Sequence, residues 1–186
     1  MSFPKCIRCI FKTMWRAEKL LRKGAMNIDC VVHEVGAAWF LVEEITEFHF
    51  DGFALISKRS VERRRYIHFD KTLEKVLRNE GATPSKPPLS LDGSTQEIFT
   101  RVSEIDALVT VEALDESRFL IGEIHRLTAA RLFMKYFSAD GRWFERPTGI
   151  DFSEIGRACF CNEYGRAWQR YFNVGQHQLS RREFGS

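Results

Sequence analysis

After residue 27 the chain consists largely of short runs, several of them rich in apolar, β-branched and aromatic residues, with turn signals between them, which is the pattern of β-strands. Four such runs precede residue 67, at positions 29–35, 39–45, 53–56 and 61–66. Gly36 and the pair Asp51-Gly52 supply turn signals between them. The pattern predicts a small sheet of four short strands in this part of the chain.

A helix is predicted to close this sheet, because the period changes to that of a helix after the fourth run. Asp70 is the predicted N-cap, and Gly81 lies just past the end. We therefore take residues 26–81 as a first lobe. Three of the five prolines follow within residues 82–93, and this composition predicts a linker.

A second lobe is predicted over residues 94–172. It opens with a capping box, in which Ser94 is the N-cap and Glu97 is the third helical residue. Strand patterns follow at 108–114, 119–124, 132–137 and 155–161, and a terminal helix is predicted over 164–172. The Asp140-Gly141 pair repeats the earlier Asp-Gly turn, so the second lobe loosely repeats the first. Residues 173–186 are polar and patternless, which predicts a flexible tail.

Residues 1–25 are predicted to form a basic amphipathic helix, since apolar side chains recur on one helical face between basic ones. Three interpretations remain open. The helix docks on the first lobe, or it lies on a membrane surface or acts as a targeting segment through residues 5–23. In the third, translation starts at Met14 or Met26 instead.

The charge distribution separates this segment from the rest of the chain. Residues 1–27 carry seven basic groups and one acidic group, a balance of +6, whereas the whole chain carries only +3. Residues 28–186 are therefore mildly acidic, at −3, which argues against nucleic-acid binding by the whole protein. The five cysteines have no disulfide spacing, and no apolar run is long enough to cross a bilayer, so a cytoplasmic location is predicted.

The second lobe carries a family resemblance. The segment Phe119-Leu120-Ile121-Gly122-Glu123-Ile124, followed by Leu132-Phe133-Met134, resembles the paired, bent strands of the Sm-like superfamily of small barrels. The first lobe resembles a group of uncharacterised bacterial proteins with the same order of elements. The resemblance implies a mainly β, α+β fold of two Sm-like or SH3-like barrels, each with a helix, plus the N-terminal helix. RNA-binding members have an Asp/Asn pair and an Arg-Gly pair; here residues 128–131 and 154–157 differ from both.

The densest basic cluster lies on the fourth predicted strand and its preceding turn. Cationic side chains there could hold a phosphate backbone while the tyrosine stacks on a base. Strand alternation sends Arg63 and Arg65 to one face and Arg64 to the other, so a solvated edge strand is the competing interpretation. The candidate nucleic-acid-binding residues are Lys58, Arg59, Arg63, Arg64, Arg65 and Tyr66.

Four aromatic residues of the second lobe form the other candidate surface: Trp143, Phe144, Trp168 and Tyr171. Some of them are needed to close the core. Any that remain exposed would anchor a protein partner, because interface centres favour Trp and Tyr.

Metal and catalytic patterns are weak. Cys6 and Cys9 have zinc-ligand spacing but lack two further ligands, so neither a metal nor a cofactor is predicted. The carboxylates of Glu43, Glu44 and Glu112 are interpreted as surface groups on strands. No phosphate loop or nucleophile motif occurs.

The sequence thus predicts a non-enzymatic macromolecule-binding or adaptor protein with a protein partner, a class that includes immunity and regulatory proteins. The alternative is binding of RNA or single-stranded nucleic acid through residues 58–66. An enzyme site between the lobes, without a linear motif, is the third hypothesis.

Overall fold

The structure is a computed structural model that describes residues 15–183, with side chains described as far as Asn173. Ten strands and three helices occur in this range. The strands are β1 Glu18–Arg22, β2 Ile28–Val35, β3 Trp39–Thr46, β4 His49–Ser57, β5 Val61–Arg65, β6 Val109–Ala113, β7 Phe119–Leu127, β8 Arg131–Tyr136, β9 Thr148–Asp151 and β10 Ile155–Phe160. The helices are α1 His68–Asn79, α2 Thr95–Ile105 and α3 Glu163–Glu183.

All ten strands belong to one open antiparallel sheet with the order β5-β1-β2-β3-β4-β10-β6-β7-β8-β9. The prediction of two separate barrels is therefore wrong, although the mainly β character is present. The two halves meet where β4 pairs with β10, with Ile56 opposite Arg157 and Phe53 opposite Phe160. We call this pairing the joint.

The main hydrophobic core explains why two separate barrels do not form. Leu41 and Leu55 from the first half pack in the same cluster as Val111 and Phe160 from the second. Phe99 of α2 is fully buried in this cluster. Because the residues that exclude water come from both halves, neither half can enclose this core alone.

The predicted N-terminal helix is also wrong where the structure describes it, because Glu18–Arg22 forms β1. This strand pairs with β2 on one side and with β5 on the other. Leu20 is fully buried and contributes to the core of the first half, which alternating strand geometry allows. Residues 1–14 of the prediction lie outside the described residues.

The helix ends follow local capping chemistry. The Ser94 capping box of α2 is confirmed, since the Ser94 side chain accepts the Glu97 N–H and the Glu97 carboxylate accepts the Ser94 N–H at 2.7 Å. Asp70 is not the N-cap of α1. The helix begins at His68 after Ile67, and the Asp70 carboxylate accepts the Ile67 N–H at 2.6 Å from inside the first turn. α3 continues past the predicted end at residue 172 to Glu183.

Residues 82–93 are fixed against the sheet, and we call this segment the strap. Leu89 and Leu91 are buried in the main core. The buried Glu43 carboxylate accepts the Ser85 N–H at 2.8 and 3.1 Å, and Glu34 accepts the Leu91 N–H at 3.0 Å. Charge-assisted bonds of this kind anchor the strap at two points.

The two halves have the same internal strand order and the same pairing register. In chain order, the fifth strand of each half pairs with the first, and the second, third and fourth follow. The pair Val32↔Val42 in the first half recurs 92 positions later as Ile124↔Met134, and a bulge follows both. In the first half the Lys58 N–H donates a hydrogen bond to the Ala38 carbonyl. The Phe152 N–H donates the equivalent bond to the Ala130 carbonyl in the second half.

Candidate partner-binding surfaces

Two of the four aromatic residues predicted as a partner site, Trp143 and Trp168, pack around Phe137, which is buried, together with Phe172. The ring centroids of Trp143, Trp168 and Phe172 lie 5.0, 4.8 and 4.9 Å from that of Phe137. Aromatic contacts at these distances are favourable beyond the area they bury. Trp143 and Trp168 are half-buried. These residues therefore hold α3 against the second half.

Tyr171 is the exposed member of this group, with 59% of its surface accessible. Its ring meets that of Trp168 edge-on, with centroids 5.6 Å apart. Gly141 lies beneath it, since a Cβ built on that glycine would sit 3.0 Å from the Tyr171 ring. The tyrosine is thus an exposed ring held by packing on two sides.

Phe144 is separated from the other three predicted aromatic residues. Its ring stacks on Tyr136 with centroids 4.4 Å apart, and Tyr136 packs against the main core. Trp143 instead contacts Phe137 in the cluster beneath α3. The adjacent residues 143 and 144 therefore serve two different clusters, as alternation along an extended segment requires.

Two further exposed aromatic residues, Phe119 on β7 and Tyr164 on α3, extend this surface and are not among the residues predicted from the sequence. Phe119 and Tyr164 are both exposed, with ring centroids 6.4 Å apart. Tyr164, Trp168 and Tyr171 recur at helical spacing, a signal that could have found this face. We define the α3 aromatic surface as Phe119, Tyr164, Trp168 and Tyr171.

The basic cluster is largely occupied by contacts within the protein. Arg64 donates two hydrogen bonds of 2.9 Å to the carboxylate of Glu18 on the neighbouring strand. Arg65 lies 3.3 Å from the buried Asp70 carboxylate. The Lys58 ammonium lies over the Phe40 ring at 5.6 Å. These three cations stabilise the first half and are not all directed to one surface.

Tyr66 is also engaged. Its hydroxyl donates to Glu74 at 3.1 Å, and partial desolvation together with this bond raises its pKa. Arg16 and Lys71 lie over the ring at 5.3 and 5.6 Å from its centroid, so a nucleobase would have to displace a cation to stack there. Within residues 15–173, no carboxylate lies within ion-pair distance of exposed Arg59 or Arg63. These two are therefore the members of the basic cluster whose charges a polyanion could contact.

A cluster of charged side chains spans the joint, and we call it the joint cluster: Arg22, Glu44, Glu112 and Arg157. Arg157 donates to Glu44 at 2.8 and 2.5 Å and to Glu112 at 2.8 Å. Arg22, whose side chain is fully buried, lies 3.4 Å from Glu112. The prediction that Glu43 and Glu44 are surface groups is wrong, because both are buried.

Two buried thiols lie close to this cluster. Burial raises the pKa of the Cys159 thiol, and the Glu44 carboxylate, with Oε2 3.9 Å from Sγ, raises it further. Burial and the same carboxylate also raise the pKa of Cys30. Since the thiolate is the nucleophile and the metal ligand, burial and the raised pKa disfavour both roles for these two residues near neutral pH.

In the part of the chain that the structure describes, no group of three or more His, Cys, Asp or Glu side chains could hold a metal ion. The Cys6–Cys9 pair lies outside that part. None of the described helices has the length and apolar character needed to cross a bilayer.

Comparison with known proteins gave no match to a family model, a curated protein or a solved structure. The resemblance to the Sm-like superfamily therefore stays a prediction.

Proposed function

We propose that the chain is a non-enzymatic binding protein that contacts a protein partner through the α3 aromatic surface. The observation that carries this proposal is Tyr171, a large ring that is 59% exposed yet packed on Trp168. Burying such a ring in an interface loses little side-chain entropy, because it is already held in place. Interface hot spots are enriched in Tyr and Trp for this reason and for the area they bury.

The surroundings of Tyr171 support a protein partner. Exposed rings continue to Phe119 and Tyr164. Trp143, which packs on Phe137 as Trp168 does, has the Lys135 ammonium 5.3 Å from its ring centroid, so one basic group lies next to this cluster. An apolar centre with a polar rim is the usual composition of a protein interface. A partner with apolar side chains and carboxylates would complement it.

The proposal is tested by affinity capture with three forms of the full chain: wild type, Tyr171→Ala and Phe48→Ala. Phe48 is the matched control, since it is also 59% exposed but lies in the turn between β3 and β4. We expect a protein that the wild type and Phe48→Ala retain and that Tyr171→Ala loses at least tenfold. Circular dichroism checks that each variant is folded. Equal capture by all three forms would exclude this surface.

Nucleic-acid binding through residues 58–66 remains the alternative, and the contacts of Arg64, Arg65 and Tyr66 give it less support. Its test is titration of labelled single-stranded RNA at two salt concentrations with wild type and with the double variant Arg59→Ala/Arg63→Ala. Steep salt dependence that the double variant reduces would support the alternative. Absence of binding at low salt would eliminate it.

A further inference from the structure

The two ends of the sheet expose strand edges. β5 pairs only with β1 and β9 pairs only with β8 among the strands within residues 15–183. An unpaired edge presents N–H and C=O groups that can pair with another strand. Both edge strands are short, at five and four residues, which limits non-specific pairing.

These edge strands correspond to the two strands that pair at the joint. β4 is the fourth strand of the first half, and its counterpart in the second half is the edge strand β9. β10 is the fifth strand of the second half, and its counterpart in the first half is the edge strand β5. The joint therefore pairs a fourth strand with a fifth strand, and one strand of each kind is left over.

The correspondence holds residue by residue. Arg157 pairs with Glu112 directly after the bulge in β10, and Arg63 pairs with Leu21 directly after the bulge in β5. The other joint strand, β4, matches β9 in the same way. The pair Phe40↔Ile56 has the same place in the first half as the pair Leu132↔Ile150 has in the second. The joint pair Arg157↔Ile56 thus maps onto Arg63 and Ile150, which lie on the two free edges.

We infer that copies of this chain associate head to tail, with β9 of one copy pairing antiparallel with β5 of the next. The joint sets the register between copies. The joint pair Cys159↔Ala54 corresponds to Arg65 of one copy opposite Thr148 of the other, and Ala158↔Leu55 corresponds to Arg64 opposite Gly149. The interface is heterologous, because it joins two different edges. Each added copy leaves one edge of each kind, so association ends only in a closed ring.

The backbone of β9 suits this pairing. The Phe152 N–H donates to the Ala130 carbonyl, so Gly149, an odd number of residues away, turns its N–H and C=O toward the free edge. Gly149 has no side chain to obstruct an approaching strand. Its carbonyl accepts from the exposed Arg118 at 3.3 Å, so this side chain has to move aside or share the carbonyl, which has a second lone pair, when another strand pairs there.

The first test is sedimentation velocity of the full wild-type chain over a concentration series. We expect species larger than the monomer, with a fraction that rises with concentration. Tyr171→Ala should behave as wild type, which separates this inference from the proposed function. A monomer at every concentration up to the solubility limit would overturn the inference.

The second test is disulfide formation between two separately purified variants, Arg65→Cys and Thr148→Cys. Residues directly opposite across an antiparallel pair lie within the Cα distance that a disulfide needs. The register control replaces Arg65→Cys with Glu62→Cys, displaced by about 10 Å along the same strand. The wild type and each variant alone give the background from native thiols. A disulfide dimer of Thr148→Cys with itself, or equal yields with both β5 variants, would overturn the register.

Discussion

Replacing Arg157 by Met tests whether the joint cluster holds the two halves of the sheet together. The guanidinium bridges Glu44 on β3 and Glu112 on β6 at hydrogen-bond distance. Its loss leaves the Glu44 carboxylate, which is buried, without its cation. Glu112 retains Arg22 at 3.4 Å. The loss of stability therefore comes mainly from the unpaired Glu44 carboxylate.

The size of the stability loss follows from the fact that Glu44 loses its cation whereas Glu112 keeps one. Removing one partner of a buried ion pair costs about 3–5 kcal/mol, because the remaining charge is desolvated without compensation. The Arg157 side chain is 25% exposed, so solvent screens part of the interaction. We expect a loss of about 3 kcal/mol in the free energy of unfolding, at the lower end of the range. The double variant Glu44→Met/Arg157→Met should recover most of it, since apolar groups replace both charges.

Urea unfolding followed by circular dichroism measures the effect. The midpoint should fall for Arg157→Met at constant slope, and it should rise again in the double variant. Arg142→Met is the control, because its ion pair with Asp140 is exposed and its midpoint should equal that of wild type. If Arg157→Met costs less than about 1 kcal/mol, or if the double variant is no more stable than the single one, the cluster does not hold the joint.

Three further predictions concern other close contacts. Gly122→Ala should lower the urea unfolding midpoint far more than Gly24→Ala. A Cβ at Gly122 would sit 2.0 Å from the Lys135 carbonyl oxygen, whereas a Cβ at Gly24 meets no atom and adds only the strain of a left-handed backbone, with φ at +63°. Glu43→Ala should cost about 2 kcal/mol, the usual value for hydrogen bonds to a charged group, and should increase amide exchange in the strap, measured by hydrogen–deuterium exchange. Cys159→Ala should flatten the decline of stability at alkaline pH. Burial raises the folded-state pKa of this thiol, so above about pH 9 the unfolded chain loses the proton first. Wild-type stability should then fall by about 1.4 kcal/mol more per pH unit than that of the variant, measured by urea unfolding at successive pH values.

The strands of each half could be predicted because local chemistry specifies them. Short runs rich in apolar and β-branched residues mark β2 and β7, and Ser94 with Glu97 marks the start of α2. The joint could not be predicted by the same reasoning. β3 is buried on both faces over all but its last residue, including Glu43 and Glu44, whereas the sequence alone places both carboxylates at the surface. His33 on the adjacent strand is one partner of Glu43, at 3.3 Å, but the other partners of the two glutamates, Ser85 and Arg157, are 42 and 113 residues away along the chain and cannot be read from local sequence.

The sequence predicts a helix where β1 forms, because the residues around Glu18–Arg22 satisfy a helical period. Glu18–Arg22 becomes a strand through long-range pairing on both sides, including the Glu18–Arg64 ion pair across 46 residues. Tertiary pairing of this kind overrides local propensity in short segments. The same pairing neutralises Arg64, which the sequence alone presents as a free cation. The missed strand therefore also explains why Arg64 looks like a free cation in the sequence.

The aromatic surface depends on a feature that helical spacing does not reveal. Trp168 and Tyr171 are three residues apart on α3 and share one side of the helix, yet Trp168 is half-buried and Tyr171 is mainly exposed. The turn at Gly141 lies against both rings: a Cβ there would be 3.3 Å from Trp168 and 3.0 Å from Tyr171. The backbone of Gly141 is also left-handed, with φ at +79°. A residue other than glycine would therefore strain the turn and push against the rings that α3 uses for packing. The glycine of the predicted Asp-Gly turn thus sets the position of the Tyr171 ring. Gly141→Ala should therefore weaken partner binding, although it alters no residue of the α3 aromatic surface.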